Sequence, residues 1–229
     1  MILKSVFKYA SREYNFENPL KNLIMPKIEK AEVKILSKSE QNKLENYLKN
    51  NKSLTSLSIY LSLYLGLRIG EICALRWSDI DFKKRIVTVN KTVQRISCKN
   101  GNKKTKIIIT KPKTKNSIRE IPIPKFLLDI FKKFKNDNDI YVISGKSKPI
   151  EPRTLQYRFA KILKNVNLPS VHFHSLRHLF ATNCISLGFD VKTLSEILGH
   201  SSVEITLNRY VHSSIYRKRT CMNFLKPAV

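Results

Sequence analysis

"HSLRHLFATNCISLGFDVKTLSEILGHSSVEITLNRYVH", residues 174–212, is the stretch on which the fold turns. Its apolar residues recur at helical spacing in three blocks, which predicts helices over 174–187, 191–198 and 202–211. Gly188 is placed to stop the first. Ser201 with Glu204 forms a capping box that starts the third. His174 and Arg177 stand at i and i+3 in the first turn of their helix, so they share a face. The helix N-terminus adds partial positive charge there, and such a place suits a phosphate. His200 lies in the turn before the third helix, and Tyr210 sits ten residues further on. Two readings are open. These are surface polar residues of a helical bundle, or they converge on one anion.

Composition favours the anion. The chain has 229 residues, with 43 Lys+Arg against 17 Asp+Glu, a formal net charge of +26 and a pI near 10.1. That length suits one sizeable domain, or a domain with an appendage, and 42% hydrophobic residues is enough for a core. A surplus this large implies a polyanionic partner, most often nucleic acid. No apolar run approaches the ~20 residues that a bilayer span needs. The opening "MILKSVFKYASREYNFENPL" lacks the apolar core and cleavage site of a secretory signal. Cys73, Cys98, Cys184 and Cys221 show no metal spacing and read as reduced thiols of a cytoplasmic protein.

Along the chain, residues 1–14 carry Ile2, Val6, Phe7 and Ala10 at helical spacing, and 15–36 read as a linker with Pro19 and Pro26. Ser37 and Glu40 form a capping box for a helix over 40–50. A long apolar helix, "LTSLSIYLSLYLG", follows and ends at Gly66. Between Arg85 and Ile123 the text turns β-rich in "RIVTVN", "KIIIT" and "REIPI", with Asn100-Gly101 offering a tight turn. "IYVIS" at 140–144 reads as a further strand, while 125–135, 152–166 and 214–225 read as helices. The expected fold is mostly α with a small antiparallel β-sheet, an α+β arrangement. Residues 91–119 hold ten Lys and Arg and no Asp or Glu. A basic hairpin of this kind would track a DNA backbone, with Lys91, Arg95, Lys103, Lys104, Lys106, Lys111 and Lys115 as contacts.

The deciding piece lies a hundred residues upstream of the opening stretch. "YLGLRIGEICALRWSDID" places Arg68 directly after the apolar helix. Together with "HSLRH", "LGHSS" and "NRYVH", in that order, it resembles the tyrosine recombinases, the phage-type integrases, over roughly residues 30–212. The resemblance implies that Arg68, His174, Arg177 and His200 bind and activate a scissile phosphate in double-stranded DNA, and that Tyr210 attacks it. It also implies that Glu71 supports Arg68 and that His178 orients its neighbours. A lysine on the basic hairpin would serve as general acid, and of Lys111, Lys113 and Lys115 the best match is Lys113, with Lys115 next. His172 and His212 receive no chemistry, and Trp77 reads as core.

The implied reaction leaves a 3′-phosphotyrosyl link and needs neither ATP nor a cofactor. A phenol with a reference pKa near 10 is a poor nucleophile unless cationic groups surround it. The resemblance also implies a tetramer on DNA, with residues 213–229 as the tail that docks on a neighbouring subunit. Residues 1–28 resemble the last helix of the family's core-binding domain plus its linker, so the catalytic domain is expected over 29–229. A truncated, non-recombining DNA-binding fragment is the alternative. A type IB topoisomerase would share the chemistry but relax supercoils without two-site synapsis. A ribosomal or RNA-coating protein would explain the charge but leave the ordered Arg-Lys-HxxR-His-Tyr set unexplained.

Overall fold

The computed structural model describes residues 2–24, 34–98, 105–112, 117–210, 219, 222 and 223. The chain divides into one unit up to Val33 and a second from Lys34. In the first unit α1 (Ile2–Glu13) is amphipathic, and Lys4 Nζ donates to the Leu23 carbonyl at 3.1 Å.

The second unit is mostly helical with small antiparallel sheets, the expected class. It opens with α2 (Lys38–Asn50), capped as its sequence predicts: Ser37 Oγ accepts from the Glu40 N–H, and Glu40 Oε2 accepts from the Ser37 N–H at 2.7 Å. Next, α3 (Leu54–Leu65) is apolar on all faces and buried on nearly all of them, as such a helix must be. Gly66 ends it in the left-handed region at φ 62°. A short α4 (Ile69–Ala74) follows.

The strands fall into two pieces where one sheet was expected. β1 (Ile80–Asp81), β2 (Ile86–Val89) and β5 (Arg119–Pro122) form an antiparallel sheet in the order β1-β2-β5, with Val87 opposite Ile121 and Val89 opposite Arg119. Among the described residues, β3 (Thr92–Ser97) and β4 (Thr105–Thr110) pair only with each other, as a separate hairpin with Val93 opposite Ile109. The Asn100-Gly101 turn expected to join them lies outside the described residues.

Helices α5 (Lys125–Lys132), α6 (Pro152–Asn165), α7 (His174–Ser186), α8 (Val191–Leu198) and α9 (Val203–Tyr210) follow. α9 starts one residue later than a Ser201 cap would set it. The helix expected over 214–225 falls almost wholly outside the described residues. "IYVIS" is not a strand: it makes one isolated bridge, Tyr141 to Arg76, and then turns, with Gly145 N–H donating back to the Tyr141 carbonyl. Tyr141, Val142 and Ile143 are all buried, and that burial produces the apolar run that reads as β.

One large core joins α3, the three-stranded sheet, α5 and α6, with Trp77 buried edge-on to Phe131. A second, smaller core holds Phe180, Cys184, Leu194, Leu198 and Tyr210 between α7, α8 and α9. The tyrosine of the opening stretch is therefore part of a packed seam. No helix among the described residues is long and apolar enough to cross a membrane.

Candidate active site

The site forms where three chain segments meet at the last turn of α8. A helix C-terminus leaves carbonyls without intrahelical partners and carries partial negative charge. Here three successive carbonyls each accept from a different arginine. Ile197 takes Arg119 Nε at 2.6 Å, Leu198 takes Arg177 Nη2 at 2.6 Å, and Gly199 takes Arg68 Nη2 at 3.0 Å. Gly199 adopts φ 63°, the left-handed conformation that ends α8 and leads into His200.

The arginines are brought there by the local fold. Gly66 turns the chain sharply off α3, and a Cβ at that position would lie 2.6 Å from Phe180 Cδ1. Its carbonyl accepts from Arg177 Nη1 at 2.6 Å. Two residues on, Arg68 begins α4, its backbone N–H donating to Glu71 Oε2 and its Nη1 to Glu71 Oε1, both at 2.8 Å. Arg68 stays 36% exposed, whereas Arg177 is 1% exposed. Burial, and then the Arg68 cation, pull the Arg177 guanidinium down to about 9 against the field of Glu71, so it remains protonated at neutral pH.

Glu71, the candidate support for Arg68, is buried between two arginines. Arg119 Nη1 and Nη2 donate to its two oxygens at 3.0 and 2.9 Å. Burial pushes its carboxyl up. The Arg119 hydrogen bonds and charge, with Arg68 behind them, outweigh that push and hold it down at about 2.

Beside the arginines runs a row of aromatic rings. His174 meets His178 edge-on at 4.6 Å between centroids, and His178 Nδ1 lies 2.8 Å from the Tyr210 hydroxyl. The His200 ring stands parallel to that of Tyr210 at 6.3 Å, and its Nδ1 lies 2.8 Å from Thr206 Oγ1. Tyr210 is only 8% exposed, and negative charge on its oxygen would favour the charged form of the Arg177 guanidinium. Arg68, Glu71, His174, Arg177, His178, His200 and Tyr210 are thus assembled in one place.

The expected basic hairpin residues divide. Lys106 and Lys111 are exposed. Lys91 is paired with Asp79 at 2.7 Å, and Arg95 forms a two-pronged pair with Glu151 at 2.6 and 2.7 Å. Lys103, Lys104, Lys113 and Lys115, the best-matched general acid among them, lie outside the described residues.

Sequence reading missed Arg119 and Thr206. A signal for Arg119 existed: "REIPIP" alternates, Arg119 shares the inward phase of Ile121, and a buried arginine needs a carboxylate. Thr206 stands four residues before Tyr210 on α9 and is fully buried, but its spacing gives no separate sign. Among the described residues, no His, Cys, Asp and Glu group could hold a metal ion.

The model of the phage integrase family matches residues 34–217. The chain is 36% identical over 237 residues to the tyrosine recombinase XerC-like protein of Caldanaerobacter subterraneus, an alignment covering 92% of this chain and 60% of that protein. It is 27% identical to the ICEBs1 integrase of Bacillus subtilis, covering 92% of this chain and 59% of that one. The chain therefore spans about 60% of the length of these curated relatives. Among solved structures, the Tn1549 transposon integrase in complex with a circular intermediate DNA superposes with a TM-score of 0.75 at 25% identity, covering 96% of this chain and 76% of that one. The XerA recombinase, at 22% identity and a TM-score of 0.63, shares the fold. With the family model spanning most of the chain and its arginine, histidine and tyrosine motifs folded into one site, this chain belongs to the phage integrase family of tyrosine recombinases.

Proposed function

We propose that this chain breaks and rejoins double-stranded DNA as the site-specific recombinase of a mobile element, through a covalent link at Tyr210. The observation that carries the reading is the seating of the Tyr210 hydroxyl 2.8 Å from His178 Nδ1, beside guanidiniums gathered on the end of α8. The membership of mobile-element integrases among its relatives supports it.

In the proposed step the Tyr210 oxygen attacks the scissile phosphorus, and the bond from phosphorus to the 5′ oxygen breaks. His178 Nδ1, within the range a general base requires, is placed to receive the phenolic proton. Negative charge accumulates on the non-bridging oxygens, where Arg68, Arg177, His174 and His200 would donate hydrogen bonds. The leaving 5′ oxygen takes a proton from a lysine, Lys113 by its place in the motif. Attack by a 5′ hydroxyl on the phosphotyrosyl link reverses the step and reseals the strand. No external energy source enters, since the phosphoester is conserved.

DNA is the proposed partner, and the superposable integrase was captured on DNA. Self-association on DNA through residues 213–229, and a cytoplasmic location on the nucleoid, belong to the same proposal.

A nicked suicide duplex tests the reading. Wild type should accumulate a protease-sensitive 3′ adduct, and Tyr210→Phe should form none. Binding of the duplex without any adduct would favour a non-recombining DNA-binding fragment instead.

A further inference from the structure

We infer that Arg119 is a positioning residue of this site: it holds Glu71 between two cations, so that Arg68 keeps net positive charge for the phosphate. The inference rests on the strand-cleavage reading above and extends it to a residue outside the motifs.

The geometry is closed on all sides. A carboxylate has about four lone-pair sites, and Glu71 fills them with the Arg68 N–H, Arg68 Nη1, Arg119 Nη1 and Arg119 Nη2. Arg119 is itself nearly buried, and it also donates Nε to the Ile197 carbonyl at 2.6 Å and Nη1 to the Ser117 carbonyl at 3.2 Å. It thereby ties the start of β5 to both α4 and the last turn of α8, which leads into His200.

The electrostatic consequence follows from counting these side chains. Arg68, Arg119 and Arg177 face one carboxylate, so the group is net cationic where an anion must bind. Without Arg119 the full charge of Glu71 falls on Arg68, its ion-pair partner at 2.8 Å. Arg68 would then be drawn in and neutralised. A purely architectural role differs in one respect: under it, removing the under-paired Glu71 as well restores folding stability but not phosphate affinity.

The test uses the full chain in three forms: wild type, Arg119→Gln, and Arg119→Gln with Glu71→Gln. Single-turnover cleavage of a nicked suicide duplex is compared with the Kd for that duplex. Separately, inorganic phosphate is titrated into the DNA-free protein while the imidazole NMR signals of His174 and His200 are followed. Arg119→Gln should slow cleavage about a hundredfold, the scale of losing one transition-state donor, with duplex Kd nearly unchanged and phosphate affinity reduced. Adding Glu71→Gln should recover about tenfold, within the range of coupled neighbours. A double variant no better than Arg119→Gln in both cleavage and phosphate affinity would overturn the inference. If wild type forms no adduct, the strand-cleavage reading fails separately, and phosphate affinity unchanged by Arg119→Gln then overturns this one. Should Arg119→Gln not fold, Arg119→Lys decides: it keeps the charge but not the fork. It should hold phosphate near wild-type affinity while cleaving more slowly, and equal loss of both would refute the role.

Discussion

The arginine cluster at the end of α8 and the β3–β4 hairpin are both cationic, yet they solve opposite problems. In the cluster, Arg177 is 1% exposed and donates to two carbonyls, and Arg119 and Arg68 share one carboxylate. Each charge is fixed in place before any ligand arrives, as transition-state stabilisation requires. On the hairpin, Lys106 is exposed, and Arg95 is held by Glu151 at a partly exposed site where ion pairs contribute little. Charge there is adjustable and screened by salt. The same residue types give orientation in one region and attraction in the other, and burial makes the difference.

The largest effect should come from the cluster. Arg177→Met should cost about 3–4 kcal/mol of transition-state stabilisation in suicide-substrate cleavage. It should also cost about 1–3 kcal/mol of folding stability, because the Gly66 and Leu198 carbonyls lose their donor inside the protein. Urea unfolding and cleavage kinetics measured together check both. A variant that cleaves normally would break the contrast between the regions.

Next in size is the acid response. Glu71 is held at about 2 against an ordinary value of 4.5, so its folded pKa is depressed. Its contribution, on the order of 3 kcal/mol, is therefore complete above its unfolded pKa and is lost as pH falls from about 4.5 toward 2. Glu71→Gln should flatten the stability profile in that window. An unchanged acid limb would show that Glu71 is not held as described. Glu151→Gln, at a site on the hairpin side of the comparison, should leave the limb nearly as in wild type.

The smallest effects belong to the hairpin. Lys106→Gln should leave stability within about 0.5 kcal/mol and reduce the slope of log K against log salt by about 0.9. Arg95→Gln should change the slope less, since Glu151 already opposes that charge. Equal slopes for the two variants would mean that the Glu151 pair opens on DNA.

The two regions were not equally legible in the sequence. Arg68, His174, Arg177, His200 and Tyr210 stand in short motifs whose spacing survives folding, and helices such as 191–198 follow from apolar periodicity and capping residues. Arg119 is different, because its partner Glu71 is 48 residues away and only the folded sheet brings them together. The run 140–144 misled because burial alone writes an apolar stretch, whether the backbone extends or, as here, turns. The division of the strands into a sheet and a separate hairpin was hidden for a similar reason: β-propensity marks β3 and β4 without saying which edge they join.

The central claim is that the phenol packed against His178 and His200 is the nucleophile. Its most direct measurement is peptide mapping by mass spectrometry of the adduct trapped by wild-type protein on a nicked duplex. The account predicts a single nucleotide-modified peptide, carrying its modification on Tyr210. Modification on any other of the nine tyrosines, or on a serine or threonine, would contradict it.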